Sequence, residues 1–169
     1  MTGPTLQPVA TAIFVIADLH FGDNGVCGER RRPFRDAEEM GGAIIERWNK
    51  TVRPSDTVFV LGDVGKRHHA RAVRHLNGRK HLVAGNGDDL TSITRMDLFA
   101  SVSVARWLPG FLLTHIPVHP SQLRGRTINV HGHLHSATVG NPHYRCVSVE
   151  QTDYTPVPLH GANASSRSQ

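Results

Sequence analysis

One pattern constrains this chain more than any other: short apolar runs break off, again and again, into clusters of Asp, Asn, His and Gly. Ala12–Ala17 leads into Asp18-Leu19-His20, and Thr57–Leu61 leads into Gly62-Asp63-Val64-Gly65. Lys80–Ala84 leads into Gly85-Asn86-Gly87-Asp88. Leu112-Leu113 precedes Thr114-His115, and Val130 precedes His131-Gly132-His133-Leu134-His135. Short, continuous, β-branched runs bounded by turn residues read as buried strands. In open α/β sheets, ligands bind beyond the carboxyl ends of the strands. Five strand ends therefore present Asp, Asn and His toward one shared site.

Taken singly, each cluster has a plain structural reading. Asp63 reads as a helix cap, Asn86-Gly87 as a turn and His115 as a hydrogen-bonded core histidine. Three alternating histidines have little structural motive, and alternation on an extended segment points them the same way. Jointly the clusters point to a metal site. Carboxylate, amide and imidazole donors suit divalent ions such as Mn, Fe, Co, Ni or Zn. Cys27 and Cys146 stand far apart and outside any CxxC, so no thiolate site is expected and a reducing compartment fits.

The 169 residues suit one domain, read as 1–160, with a small polar tail over 161–169 expected to be disordered. Asp36 to Lys50 reads as a helix: Asp36 caps it, Glu39 stands three residues on, and Ala37, Met40, Ile44 and Trp48 share a face. Arg67 to Asn77 reads as a second helix ended by Gly78. Ser101–Ala105 and Phe111–Thr114 read as strands joined through Pro109-Gly110, and Thr127–His131 and Tyr144–Val149 complete the set. Early strand–helix alternation followed by a strand-rich half gives an α/β class. No apolar run approaches the ~20 residues needed to cross a membrane. Met1–Thr11 lacks the pattern of a secretion signal, so a cytoplasmic place is expected. The net charge of +5 favours phosphate-bearing partners as well as solubility.

The blocks DLH, GDVG, GNGD, a lone His and GHLH, in this order from Asp18 to His135, resemble the calcineurin-like metallophosphoesterases, and in particular their short bacterial and phage branch. The resemblance implies a four-layer sandwich of two mixed β-sheets flanked by helices. It also implies two divalent ions, with manganese the first choice and Fe, Zn, Ni or Co the others, and a division of ligands. Asp18, His20, Asp63 and His135 hold one ion, and Asp63, Asn86, His115 and His133 hold the other, with Asp63 bridging. A water shared by the two ions is then the nucleophile that attacks phosphorus.

The third block departs from the family, which carries a histidine where this chain has Gly87. General acid catalysis is worth ~10²–10⁴-fold, so either another group supplies the proton or the leaving group needs little help. His119 and Asp88 are the candidate catalytic residues beyond the ligands. His119, four residues after His115, is the first substitute for the proton donor, followed by His68 and His69. Asp88 reads as turn-stabilising or as a support behind a ligand. His131 reads as an orienting partner of a ligand or a plain strand residue. Arg30, Arg31, Arg32 and Arg35 read as a solvated run or as phosphate contacts.

The expected activity is a phosphodiesterase on small phosphodiesters or cyclic nucleotides. A nuclease is the second reading, although no nucleic-acid recognition module stands out. A non-catalytic binding scaffold, as in the retromer subunit that resembles this family, is the third.

Overall fold

Alternation along the first strands sorts the core into two layers. In the computed structural model, which describes residues 11–28 and 31–160, β1 spans Ile13–Ile16, β2 Thr57–Val60 and β3 Arg79–Val83. Phe14, Ile16, Val58, Val60 and Leu82 point to one side, where they pack with Met40, Ile44, Trp48 and Val73. Val15, Ala17, Phe59, Leu61 and Val83 point to the other, where they meet Leu113, Val130, Val147 and Leu159. A period of two with both faces apolar is what a sheet buried on both sides requires.

The first sheet has the order β4-β3-β2-β1-β9, with β4 at Ser101–Ser103 and β9 at Val157–Pro158. Its first four strands run parallel, and β9 is antiparallel to β1. Pro158 is tolerated because β9 is an edge. The second sheet has the order β5-β6-β7-β8, formed by Arg106–Leu108, Phe111–Leu113, Ile128–His131 and Tyr144–Cys146. β5 and β6 are antiparallel, and β6, β7 and β8 are parallel. The result is a sandwich of two mixed sheets in the α/β class, as expected.

Helix α1 covers Ala37–Thr51 and buries Ala37, Met40, Gly41, Ile44 and Trp48 on the first sheet. Asp36 caps it by accepting the Glu39 N–H at 2.9 Å. The Glu39 carboxylate instead accepts the Arg35 N–H at 2.8 Å, one residue before the position a capping box uses. A short helix α2, Leu90–Arg95, follows β3 and was not anticipated. Among the described residues the α-helices pack on the first sheet, through the cluster that includes Ile93. The outer face of the second sheet is covered by the loop after β6 instead, where Val118 N–H donates to Asn129 Oδ1 and Tyr144 Oη donates to the Val118 carbonyl.

Two expectations need correction. Arg67–His75 is a run of 3-10 turns rather than an α-helix. Its polar sequence offers only Ala70 and Val73 for burial, too narrow a stripe to drive longer helical packing. Ser101–Ser103 does not pair with β6. It joins β3 in the first sheet, and the Pro109-Gly110 turn belongs to a tighter hairpin of β5 with β6. The expected tail lies outside the described residues. Both cysteines are free, and no described helix is long and apolar enough to cross a membrane.

Asp56 fastens the turn before β2. Its carboxylate accepts Ala12 N–H at 3.1 Å and Arg53 N–H at 2.9 Å, and pairs with Arg53 Nη2 at 2.9 Å. The Arg53 side-chain bonds, with those backbone donors, hold its pKa down to about 2. A depressed carboxylate stabilises the fold above its unfolded pKa of about 4, and the contribution fades as pH falls toward 2. The difference in Tm between wild type and Asp56→Asn is therefore expected to be largest above about pH 5, to shrink as pH falls below about 4 and to close only below about pH 2.

Candidate metal centre

The loops that leave β1, β2, β3, β6 and β7 meet at one end of the sandwich. Asp18 N–H donates to the Gly62 carbonyl at 3.0 Å and His20 N–H to the Asp63 carbonyl at 2.9 Å, which joins the first two loops. Gly132 N–H donates to the His115 carbonyl at 2.9 Å, which joins the last two. His133 N–H donates to Asp18 Oδ2 at 2.9 Å and ties the sheets together.

Backbone strain concentrates here. Nine described non-glycine residues have positive φ, and five of them are Asp18, His20, Asp63, His133 and His135. Left-handed backbone at such residues costs of order 1–3 kcal/mol each and collects at functional sites. Gly62 makes the crowding possible: at φ +83°, a Cβ there would lie 2.5 Å from His115 Nδ1 and 2.6 Å from Gly85 Cα. Gly62→Ala is expected to cost roughly 2 kcal/mol or more, read as a fall in denaturant midpoint.

All seven residues read from the sequence come together. Asp18, Asp63 and His115 are buried, and each offers a ligand atom within 4.8 Å of the others. Asp18, His20 and His135 form a second such group. Asp63 stands between two histidines, with Oδ2 3.6 Å from His20 Nε2 and Oδ1 3.5 Å from His115 Nε2. Asn86 Oδ1 lies 3.0 Å from His115 Nε2. The His133 ring packs edge-on to His115 at 5.1 Å, and His20 and His135 stack at 5.3 Å.

Hydrogen bonds orient these donors. A carbonyl only accepts, so His115 donates through Nδ1 to the Leu61 carbonyl at 2.7 Å and turns Nε2 inward. His135 Nδ1 bonds Glu150 Oε1 at 2.7 Å, a contact that holds the His135 pKa above the usual histidine range. Burial, followed by the Arg32 charge, holds His20 below that range. Asp18 Oδ2 accepts from His133 N–H and, at 2.7 Å, from Ser148 Oγ. Its Oδ1 and His20 Nε2 are buried without a hydrogen-bond partner. Two unsatisfied inward donors, facing carboxylate, amide and imidazole groups, form a set that a divalent cation satisfies. The residues fit such ions.

Asp88 supports this cluster from behind. Its carboxylate accepts N–H groups from Asp63 at 3.1 Å, Val64 at 2.8 Å and Gly85 at 2.8 Å, and burial pushes its pKa up. Gly87 N–H donates to Asp63 Oδ1 at 2.8 Å, and a Cβ at Gly87 would stand 3.0 Å from that oxygen. His119 bonds within its own turn: its exposed ring caps Pro120–Gln122, with Nδ1 2.9 Å from Ser121 Oγ. The His68 and His69 rings pack tilted against each other, centres 4.2 Å apart, in the 3-10 run. His131 is buried, with Nδ1 donating to the Gly132 carbonyl at 2.8 Å.

Sequence reading missed Ser148 and Glu150 and misplaced Arg32. Arg32 is not part of a solvated run. It is 2% exposed, pairs with Glu150 at 2.8 Å and donates to the Asp18 carbonyl at 2.7 Å. Arg31 and Arg35 are exposed, and Arg30 lies outside the described residues. Glu150 and Ser148 follow β8 and carry no motif. The signal available for Glu150 is that it is the first acidic residue after Asp97.

An uncharacterized protein of Methanocaldococcus jannaschii is 31% identical to this chain over 159 residues, covering 87% of this chain and 86% of its own length. The chain belongs to that protein's family. The Gene 66 protein of Mycobacterium phage L5 is 27% identical and covers 75% of this chain and 79% of its own. A protein of unknown function from Aquifex aeolicus shares the family's fold at TM-score 0.67 and 24% identity, over 88% of this chain and 96% of its own. The nuclease MPE of Pseudomonas putida superposes at TM-score 0.51 and 24% identity, over 73% of this chain and 61% of its own. No family model matches the chain.

Proposed function

We propose that this protein is a metallophosphoesterase: a hydrolase that holds two divalent ions, manganese first among them, and cleaves phosphodiesters in preference to monoesters. The observation that carries the reading is the position of Asp63, one carboxylate oxygen facing His20 and the other facing His115. Asp63 is accordingly the shared ligand. Asp18, His20 and His135 complete one set, and Asn86, His115 and His133 the other. When bound, such a pair supplies a nucleophile from water near neutral pH and neutralises charge on the phosphate and the leaving oxygen.

The chain's own groups do the positioning. Asp88 locks the Asp63 loop against the Gly85 loop through three N–H bonds. Glu150 fixes the His135 ring, and the Leu61 carbonyl fixes His115. Gly87 contributes an N–H to Asp63 rather than a side chain. In this reading His119 caps its turn and does not deliver the leaving-group proton. The Pseudomonas putida neighbour, named a nuclease, supports ester cleavage between nucleotides as the second reading. The scaffold reading is disfavoured, because a scaffold has no use for five strained donor residues around unsatisfied buried atoms.

The test is hydrolysis of an aryl phosphodiester, a cyclic nucleotide and an aryl phosphomonoester by the full chain. Mn, Co, Ni, Zn or Mg is restored singly after chelation. Turnover that requires metal and favours the diesters is expected. Folded protein that turns over none of these esters with any of the ions overturns the reading.

A further inference from the structure

The second sheet carries a feature the metal centre does not use. Trp107, on β5, is 55% exposed, whereas the chain's other tryptophan, Trp48, is fully buried. In the antiparallel hairpin Trp107 pairs with Leu112. Leu113 faces the inter-sheet core, so Leu112 and Trp107 face outward. There Trp107 lines a surface concavity of about 440 Å³ with Ser121, Gln122 and Arg124. A volume of that order takes a small planar ligand.

This concavity lies on the loop that starts at His115. The chain runs from His115 through the His119 cap to Ser121, no more than ~20 Å of extended backbone. The segment that builds it carries charge of one sign. No Asp or Glu stands between Asp97 and Glu150, a segment with four arginines and six histidines that makes the whole second sheet and its covering loop. Arg124 and Arg126 are exposed and carry no ion pair among the described residues.

We propose that this face binds single-stranded nucleic acid, with a base stacked on Trp107 and the backbone phosphates on Arg124 and Arg126, so that the strand leads along the loop to the metal centre. An exposed aromatic ring beside unpaired arginines is the combination that strand-binding surfaces use. Ser121 and Gln122 add hydrogen-bonding groups at the base edge. The proposal names a substrate for the phosphoesterase reading, and rests on that reading for the chemistry.

The test is binding of a hydrolysis-resistant phosphorothioate oligothymidine to the metal-loaded full chain. It is followed by tryptophan emission and by anisotropy of a labelled strand over a salt series. Stacking on Trp107 is expected to quench emission while buried Trp48 supplies a constant background. Trp107→Ala is expected to weaken binding about tenfold or more, with Trp107→Phe recovering most of it. Arg124→Ala is expected to lower the slope of log affinity against log salt by about 0.7.

Binding without quenching, or unchanged in Trp107→Ala, overturns the proposal. So does a dimer that buries Trp107 and excludes the strand in sedimentation. Cleavage of simple diesters without strand binding defeats this proposal alone. Strand binding with quenching, but no ester hydrolysed with any metal, defeats the phosphoesterase reading and leaves the binding face standing.

Discussion

Asp63→Ala is expected to remove metal-dependent hydrolysis, by about 10³-fold or more. The figure follows from losing several kcal/mol of charge stabilisation at ~1.4 kcal/mol per tenfold. No neighbour can replace it, because its two oxygens face different histidines 3.6 and 3.5 Å away. The metal-free fold should respond in the opposite sense. Asp18 and Asp63 offer ligand atoms within 4.8 Å of each other, and two buried carboxylates that close repel when both are ionised. The chelated Asp63→Ala protein is therefore expected to melt at or above the wild-type temperature. A variant that keeps its rate, or that loses it only by unfolding, would contradict the assignment. Rates with saturating manganese beside melting curves in chelator separate the cases.

Glu150 is expected to show two effects that different substitutions divide. Its carboxylate binds both His135 Nδ1 at 2.7 Å and Arg32 Nε at 2.8 Å. Burial works to raise its pKa, but the His135 hydrogen bond and the Arg32 charge outweigh it, so it stays below the usual value. Glu150→Gln keeps the shape and weakens the hold on His135. Metal affinity, measured by competition with a chelating dye, is expected to fall about 10–100-fold. Glu150→Ala also strands Arg32, whose side chain is 2% exposed. Leaving one member of a buried pair costs about 3–5 kcal/mol. The Asp18 and Leu19 carbonyls still accept from Arg32, which places the loss near the lower figure. Urea unfolding of the chelated protein reads it without interference from metal.

Much of this site was legible because its residues sit where strand patterns end. The runs before Asp18, Asp63 and Asn86 are continuous and β-branched, and their strands form within a residue or so of where the pattern puts them. The Asp36 cap was readable because capping is local chemistry, decided within one helical turn. What escaped depends on partners distant in sequence. Glu150 meets Arg32 across 118 positions, and no local rule brings them together. Arg32 looked like its neighbours, and only the fold separates one buried guanidinium from a charged run. The hairpin of β5 and β6 was missed because β5 is three residues long and directly follows a strand of the other sheet. Trp107 gave no warning either, since a lone tryptophan in a strand reads as core until the sheet order places it at an edge.

The donor loops are shared between two sheets whose facing cores are apolar. Asp18, His20, Asp63 and Asn86 ride on the first sheet, and His115, His133 and His135 on the second. A cation gripped by both acts as a clasp, and its affinity is then added to the resistance of the halves to parting. Amide exchange at the facing strands should slow when the clasp is shut. If the proposed reading holds, loss of the ion would leave this protein looser as well as inactive.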